Sequence, residues 1–437
     1  MMDLRNKLIG VFGMGKSGLA ALEFLYKKQA RVFAVDQGEY ESWKNKDTIK
    51  NISRDIPCFS EKEAVTLFSQ CSLIILSPGI PRNHRSLALA AEKKVPIWSE
   101  IELSSRFTNI PILAITGTNG KTTVVSLIKE ILHRANIPVF VGGNIGIPFC
   151  RFLLDKNPAK LAVLELSSFQ LESMEKFHPH VAVILNIYPN HGERYENLFD
   201  YKRVKLQIAK NMESTDHLLH PNDLALPEDY KVSPHIFNSF DHSKLQIQLD
   251  KFDLSRFKPI GQHNLFNLYI AIKSLELFLG KSDKIQRSVQ STIDSFCGIP
   301  HRLQRLDSPY TFIPFNDAKN SNWDGVISAI DSINTRPLCV ILGGKKRGRG
   351  DSIAPYIDYF QKKVDKILLI GEVADQLAEE LPKTMDYEIC GTLAQAVKKV
   401  KKYQWPGVLL FSPAFPSFDQ FNNFKERGDT FIQMVKD

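Results

Sequence analysis

The sequence is poor in the features that mark secreted, metal-clustered or membrane chains. Six cysteines are scattered over 437 residues, at 58, 71, 150, 297, 339 and 390, with no metal-like spacing between them. That excludes a disulfide framework and a cysteine-built metal site, and it suits reduced thiols in the cytoplasm. No uninterrupted apolar run approaches the ~20 residues that cross a bilayer, so no membrane segment is expected. No leader precedes the strand pattern at Leu8–Phe12, so no secretory signal is expected. Low-complexity stretches and short repeats are lacking too, which excludes a repeat array. The formal charge of +8 is modest for this length and fits an anionic small substrate. Clusters such as Lys44 to Lys50 read as solvated surface, and neither nucleic acid nor membrane is expected as a partner.

At roughly 100–200 residues per domain the length implies two to four domains. A 43% hydrophobic and 24% charged composition is that of a soluble globular protein, and 28 phenylalanines suit large cores. Short Val/Ile/Leu runs without polar alternation recur at Leu8–Phe12, Arg31–Asp36, Leu73–Ser77, Ile112–Thr116, Leu161–Leu166, Val181–Ile187, Leu338–Leu342, Lys366–Ile370 and Val408–Phe411. Such runs are parallel strands buried on both faces. Helical patterns follow several of them, at Ser17–Lys28 and Thr122–Ala135 for example, and the alternation predicts doubly wound α/β units. Restarts of the pattern divide the chain into three α/β domains, 1–108, 109–299 and 300–437.

The run Ile112–Thr116 ends in Gly117-Thr118-Asn119-Gly120-Lys121-Thr122-Thr123, and a helix follows. Glycines let the backbone turn and aim N–H groups at an anion, and the helix start adds partial positive charge. Lys121 can reach outer phosphates, and the Thr122 hydroxyl can hold Mg²⁺. The ordinary P-loop spacing puts a glycine at 115, where Ile115 stands. Downstream, Glu165 ends a strand, where open α/β sheets place ligand groups. It is a reasonable Mg²⁺ ligand and equally a salt-bridge or cap residue. A lone histidine such as His191 is ordinarily packed or exposed, and the charged helix from Lys202 to Lys210 is ordinarily a solvated face. Gly261-Gln262-His263-Asn264 opens an apolar helix, with Asn264 in position to cap it. Gly13-Met14-Gly15-Lys16-Ser17-Gly18 lies between a strand and a helix, and Asp36 ends the next strand. That spacing is a dinucleotide fingerprint, and a nicotinamide dehydrogenase is its competing reading.

These segments together resemble the Mur ligase family, in the family's order and over essentially the whole chain. The phosphate loop resembles the Thr-Gly-Thr-Asn-Gly-Lys-[Ser/Thr] loop of Mur ligases and folylpolyglutamate synthases, which activate a carboxylate with ATP and join it to an amine. The resemblance implies a Rossmann-like first domain, a central P-loop-type ATPase domain and a Rossmann-like third domain. Ser77-Pro78-Gly79 resembles the family's Ser-Pro-Gly element, so Gly15, Lys16, Ser17, Ser77, Pro78 and Gly79 would hold a UDP-linked substrate. Asp36 would lie near the uracil or simply finish its strand. The resemblance makes Asn144 a substrate contact, Glu165 and His191 metal ligands, and Lys205 a lysine carbamylated by CO₂, and it implies two Mg²⁺. Where the family often has Asp before the histidine, this chain has Asn190. Asn264, Arg302 and Asp317 would contact ATP.

Lys319 and Ser321 would face the substrates, and this form of the segment resembles the D-glutamate-adding branch, which usually has Thr in place of Ser321. In Gly343-Gly344-Lys345-Lys346-Arg347-Gly348 the branch's Asp-Lys pair is replaced by Lys346 and Arg347. The lost acid is expected to loosen a local ion pair, and Arg347 to bind a carboxylate with altered geometry. Ser412-Pro413-Ala414-Phe415-Pro416-Ser417-Phe418-Asp419-Gln420-Phe421 and Phe424-Lys425-Glu426-Arg427-Gly428 resemble that branch's C-terminal signature. Ser417 would bind a D-glutamate carboxylate, with Phe418 and Phe424 lining its pocket and Phe421 packed inside. The expected partners are therefore ATP, UDP-N-acetylmuramoyl-L-alanine and D-glutamate, acted on by a cytoplasmic monomer. Readings that remain are another Mur ligase, a folylpolyglutamate synthase, and a non-catalytic relative with an altered 345–347 loop. Motion on ATP binding is expected near 107–111 and 298–300.

Overall fold

A computed structural model describes residues 3–155, 157–192, 194–238, 249–347 and 351–437. Its contacts divide the chain into two compact units. One comprises residues 1–187, 199–240 and 270–289; the other comprises 188–198, 241–269 and 290–437. Among the described residues no helix is long and apolar enough to cross a membrane.

The first unit holds two parallel sheets. Strands β1 (Leu8–Phe12), β2 (Arg31–Asp36), β3 (Cys58–Ser60), β4 (Leu73–Leu76) and β5 (Ile97–Trp98) form one, in the order β3-β2-β1-β4-β5. Strands β6 (Ile112–Thr116), β7 (Phe140–Gly143), β8 (Ala162–Glu165), β9 (Val181–Ile184), β10 (His217–Pro221) and β11 (Ser233–Phe237) form the other, in the order β11-β10-β9-β6-β8-β7. Side-chain alternation explains the uninterrupted apolar runs. Val32 and Ala34 enter one core with Ile9 and Val11, while Phe33 and Val35 enter another with Phe12. Each central strand is therefore covered on both faces, as parallel strands require.

A carboxylate joins the two halves of this unit. The helix Glu100–Ser105 is capped by Ser99 Oγ, which accepts the Glu102 N–H. The fully buried Glu102 carboxylate accepts the backbone N–H groups of Glu175 (3.1 Å), Lys176 (3.0 Å) and Phe177 (2.9 Å), and Arg106 Nε at 2.6 Å. Arg106 continues to Glu175 at 3.0 Å and stacks over Trp98 at 3.8 Å. The segment 107–111 thus follows a helix bonded to the second sheet's surroundings, which argues against a hinge there.

The second unit contains β12 (Gln304–Arg305), β13 (Ile313–Asn316), β14 (Leu338–Gly343), β15 (Lys366–Ile370), β16 (Tyr387–Gly391) and β17 (Val408–Phe411). Their order is β12-β13-β17-β14-β15-β16, parallel except for the β12–β13 pair. Leu338, Val340 and Leu342 face one core, and Cys339 and Ile341 the other. Asp36 ends β2, Glu165 ends β8 and Asp317 directly follows β13, so each sheet carries an expected site carboxylate at the C-terminal end of a strand.

Candidate active site

In the first unit the register pairs Ile115 with Glu165 and Thr116 with Ile184, so β6, β8 and β9 end at one edge. The phosphate loop leaves that edge. Gly120, at φ 87°, is the left-handed residue that turns the loop into the helix Lys121–Arg134. Its first turn points its N–H groups out of the helix start, as an anion site requires. Lys121 Nζ donates to the carbonyls of Gly117 (2.7 Å) and Thr118 (2.8 Å), arching over the loop it belongs to.

Two further groups converge here. Glu165 is buried at the end of β8; its Oε1 accepts Asn144 Nδ2 at 2.9 Å, and its carbonyl accepts the Asn144 N–H at 2.8 Å. Gly143 is fixed by this contact, because at φ 99° a Cβ would lie 2.3 Å from the Glu165 carbonyl oxygen. The second Glu165 oxygen is buried and has no hydrogen-bond partner, which suits a cation ligand. Lys205, from the helix Leu198–Leu206, is fully buried; its Nζ donates to Gly117 O at 2.9 Å and sits 4.6 Å from the Tyr201 ring centroid. Burial, reinforced by the Lys121 charge and opposed by Glu165, holds its amine well below the usual lysine range. A neutral amine is the form that captures CO₂. No cluster of three or more His, Cys, Asp or Glu side chains arranged for a metal ion occurs among the described residues.

The structure also brings in Asn186, for which no role was expected. It stands just beyond β9 and bonds the phosphate loop through side chain and backbone. The signal was present: a polar amide immediately following an apolar strand beside a phosphate loop.

The first sheet's loop is tied down differently from a dinucleotide site. Asp36 ends β2, but its Oδ2 accepts the Met14 N–H and its Oδ1 the Gln37 N–H, both at 2.8 Å. The carboxylate shapes the loop, in keeping with finishing the strand. Ser77 Oγ donates to Gly13 O at 2.6 Å, which joins the Ser77-Pro78-Gly79 turn to the same loop. Gly15 precedes the helix Lys16–Lys27 with no side-chain cap, and Lys16 and Ser17 form its first turn.

The remaining expected residues belong to the second unit. His191 has φ 56°, and its N–H donates to Asn190 Oδ1 at 3.0 Å, so Asn190 serves as a turn acceptor where a carboxylate is not required. Asn264 is not the helix cap. The helix spans Gln262–Leu279, and Asn264 sits inside it with its Nδ2 donating to Ile260 O at 2.7 Å. The neighbouring His263 faces Ser328 Oγ at 3.1 Å, and burial pushes its pKa down to about 4.

Asp317 is buried, accepts Ser412 Oγ at 2.7 Å and the Leu303 N–H at 3.0 Å, and is pushed up to about 6 by desolvation. Asn320 Nδ2 donates to the same Ser412 hydroxyl at 2.8 Å, which closes a polar chain across β13 and β17. Arg302 Nε is buried without a partner, as a cation awaiting an anion would be. Arg427 is fully buried and donates its Nη2 to Ala318 O (2.9 Å) and Phe415 O (3.0 Å), joining the loops that carry Lys319 and Ser417. Lys319 Nζ lies 5.6 Å from the Phe424 ring centroid. Ser417 is buried, Phe418 and Phe424 are exposed, and Phe421 packs against the core as expected.

The altered loop after β14 corrects one expectation. The local ion pair is not loosened, because Asp351 provides it: Arg347 Nε lies 3.1 Å from Asp351 Oδ1, and Arg347 N donates to Oδ2 at 2.6 Å. Arg347 also donates Nη1 to Ser321 O at 2.6 Å. Gly348 lies outside the described residues.

Comparison with known proteins matches the chain to three consecutive family models. Residues 7–99 match the Mur ligase MurD-like N-terminal domain, 115–275 the Mur ligase middle domain, and 301–415 the Mur ligase glutamate ligase domain. The chain is 32% identical over 455 residues to a UDP-N-acetylmuramoylalanine–D-glutamate ligase of Desulfatibacillum aliphaticivorans, covering 99% of each. It is 34% identical over 476 residues to the enzyme of that name from Leptospira borgpetersenii, covering 100% of this chain and 97% of the relative. Among solved structures, MurF ligase from Thermotoga maritima in complex with ADP shares the fold at TM-score 0.59 and 12% identity, covering 99% of this chain and 95% of that one. A pseudomurein peptide ligase type C from Methanothermus fervidus does so at TM-score 0.55 and 17% identity, covering 99% and 100%. With whole-length relatives above 30% identity and family models along its three sheets, the chain belongs to the Mur ligase family.

Proposed function

We propose that this chain joins D-glutamate to UDP-N-acetylmuramoyl-L-alanine at the expense of ATP, in cytoplasmic peptidoglycan precursor synthesis. The observation that carries the reading is the buried Glu165–Lys205 pair beside the phosphate loop, set in a chain whose full-length relatives carry that enzyme name. A carboxylate oxygen of the muramoyl-alanine attacks the γ-phosphorus and ADP leaves, which gives an acyl phosphate. The D-glutamate amine then attacks the acyl carbon, the amide forms and phosphate leaves. Gly117 to Thr123 hold the triphosphate, with Lys121 against its outer oxygens and Asn264, Arg302 and Asp317 on the nucleotide. Alignment of carboxylate and phosphate supplies much of the rate.

Mg²⁺ would be held by Thr122, Glu165, His191 and a carbamate on Lys205, consistent with its preference for few protein oxygens plus water and phosphate. Bound there, it offsets negative charge on the transferring phosphoryl group. Gly15, Lys16, Ser17, Ser77, Pro78 and Gly79 hold the UDP end with Asp36 shaping their loop, and Asn144 meets the muramoyl-alanine end. Lys319, Ser321, Arg347, Ser417, Phe418 and Phe424 form the D-glutamate pocket, with Arg347 tied to the Ser321 carbonyl. The domain limits 1–108, 109–299 and 300–437 and a monomeric state complete the reading.

The test is phosphate release from ATP with each substrate omitted in turn. Release that requires both D-glutamate and the UDP-muramoyl substrate is the expected result. Folded protein that binds ATP and releases no phosphate with both present refutes the ligase reading.

A further inference from the structure

The phosphate loop does not hold its shape by itself. Asn186 Oδ1 accepts two successive loop N–H groups, Thr118 at 3.2 Å and Asn119 at 2.8 Å. Its Nδ2 donates to Asn119 O at 3.2 Å, and its backbone carbonyl accepts the Thr118 N–H at 2.9 Å. The outer limb of the loop is thereby clamped by one side chain that enters from a different strand end. Two adjacent amides turned toward one oxygen form the kind of nest that binds anions. Here a neutral protein oxygen takes both amides, so Thr118 and Asn119 serve the nucleotide site through the loop shape they hold rather than by donating these N–H groups to phosphate. That work falls to the helix start, and its aim depends on how the limb before it is held.

We propose that Asn186 is a positioning residue for nucleotide: it holds the loop's first limb so that the start of the helix Lys121–Arg134 meets the triphosphate. Asn186 also begins the segment leading to His191, five residues on, so the clamp and the proposed metal-binding segment follow β9 in immediate succession. Loss of the clamp should therefore weaken nucleotide without touching the amino-acid pocket, which is built on the second unit. The inference rests on the assignment of the loop to ATP and not on the identity of the acceptor amino acid.

The experiment uses the full chain and three proteins: wild type, Asn186→Ala and Asn186→Asp. Binding of a non-hydrolysable ATP analogue with Mg²⁺ is measured by calorimetry, without other substrates. Each substrate's KM and the thermal midpoint are measured alongside. Removing an acceptor that serves two amides is expected to weaken the analogue and raise the ATP KM by about tenfold. The D-glutamate KM should stay within about twofold in the same variant. Asn186→Asp keeps the oxygen that takes both amides and should recover much of the analogue affinity. Analogue affinity unchanged in Asn186→Ala overturns the proposal. So does a uniform rise in all three KM values with a lowered thermal midpoint, since that is a general structural defect. If wild type binds the analogue but shows no D-glutamate-dependent phosphate release, the ligase reading fails and the Asn186 result still stands.

Discussion

Replacing Glu102 by Ala tests how the two sheets of the first unit are held together. Three consecutive N–H groups, those of Glu175, Lys176 and Phe177, converge on this carboxylate within 3.1 Å, and Arg106 bonds it at 2.6 Å. Removal leaves three amide donors facing a small apolar group. Each unsatisfied buried donor costs about 1–3 kcal/mol, although water admitted to the new space offsets part of that. Arg106 retains Glu175 and the Trp98 ring, so its own loss is partial. A net local cost of about 3 kcal/mol follows, in the range seen when one partner of a buried pair is removed. The assay is amide hydrogen exchange of residues 173–178. A local opening made easier by about 3 kcal/mol speeds exchange there by a factor on the order of 100. The central strands β6 and β9 should keep most of their protection. Glu102→Gln, which retains one acceptor oxygen, should fall between Ala and wild type. Unchanged exchange at 175–177 in Glu102→Ala would refute the reasoning.

Other outcomes follow from the same geometry. Lys205→Ala should abolish phosphate release, and a short carboxylate such as acetate should partly restore it; an undiminished variant removes the carbamate role. Asp351→Asn should weaken the Arg347 latch and raise the D-glutamate KM by about three- to tenfold, with the ATP KM within about twofold, read by steady-state kinetics. Glu100 is fully buried, accepts the Cys150 N–H and Ser104 Oγ, and is pushed up to about 7 by desolvation. Its folded pKa exceeds the ordinary carboxylate value, so the folded state binds the extra proton and stability falls as pH rises from about 4.5 through 7. Glu100→Gln should flatten that part of the stability profile in chemical denaturation at stepped pH; an unchanged slope would contradict it.

The central strands were legible in the sequence because burial on both faces leaves an uninterrupted apolar run. Arg31–Asp36, Lys366–Ile370 and Val408–Phe411 match their observed limits. The strands that escaped notice are Cys58–Ser60, Ile97–Trp98, Phe140–Gly143, His217–Pro221, Ser233–Phe237, Gln304–Arg305 and Tyr387–Gly391. All but His217–Pro221 lie at a sheet edge, where short length and one-sided cover erase that pattern. The candidate site divides in the same way. Lys121 was singled out by the spacing of its loop and Ser417 by the resemblance; the structure arches Lys121 over the loop and buries Ser417. Asn186 acts through contacts made across strand ends, which an amide after an apolar strand signals only weakly; Asp351 pairs with Arg347 four residues away in the altered loop; and Arg427 stands inside the C-terminal signature while its partners, Ala318 and Phe415, lie elsewhere in the sequence. Asn264 was misjudged as a cap because the helix starts at Gln262, three residues before the start that such a cap implies.

The Arg347–Asp351 contact has an electrostatic consequence. Its guanidinium charge is already balanced within the loop, so an arriving carboxylate meets a neutralised pair there and not a lone cation. The exposed Lys345 and Lys346 of the same loop carry their charge in solvent. Charges standing in solvent are screened beyond about 8 Å at physiological ionic strength, whereas a buried pair is not. Under the proposed function, long-range attraction of a dicarboxylic amino acid by these lysines would weaken with salt, while the Arg347–Asp351 contact would persist.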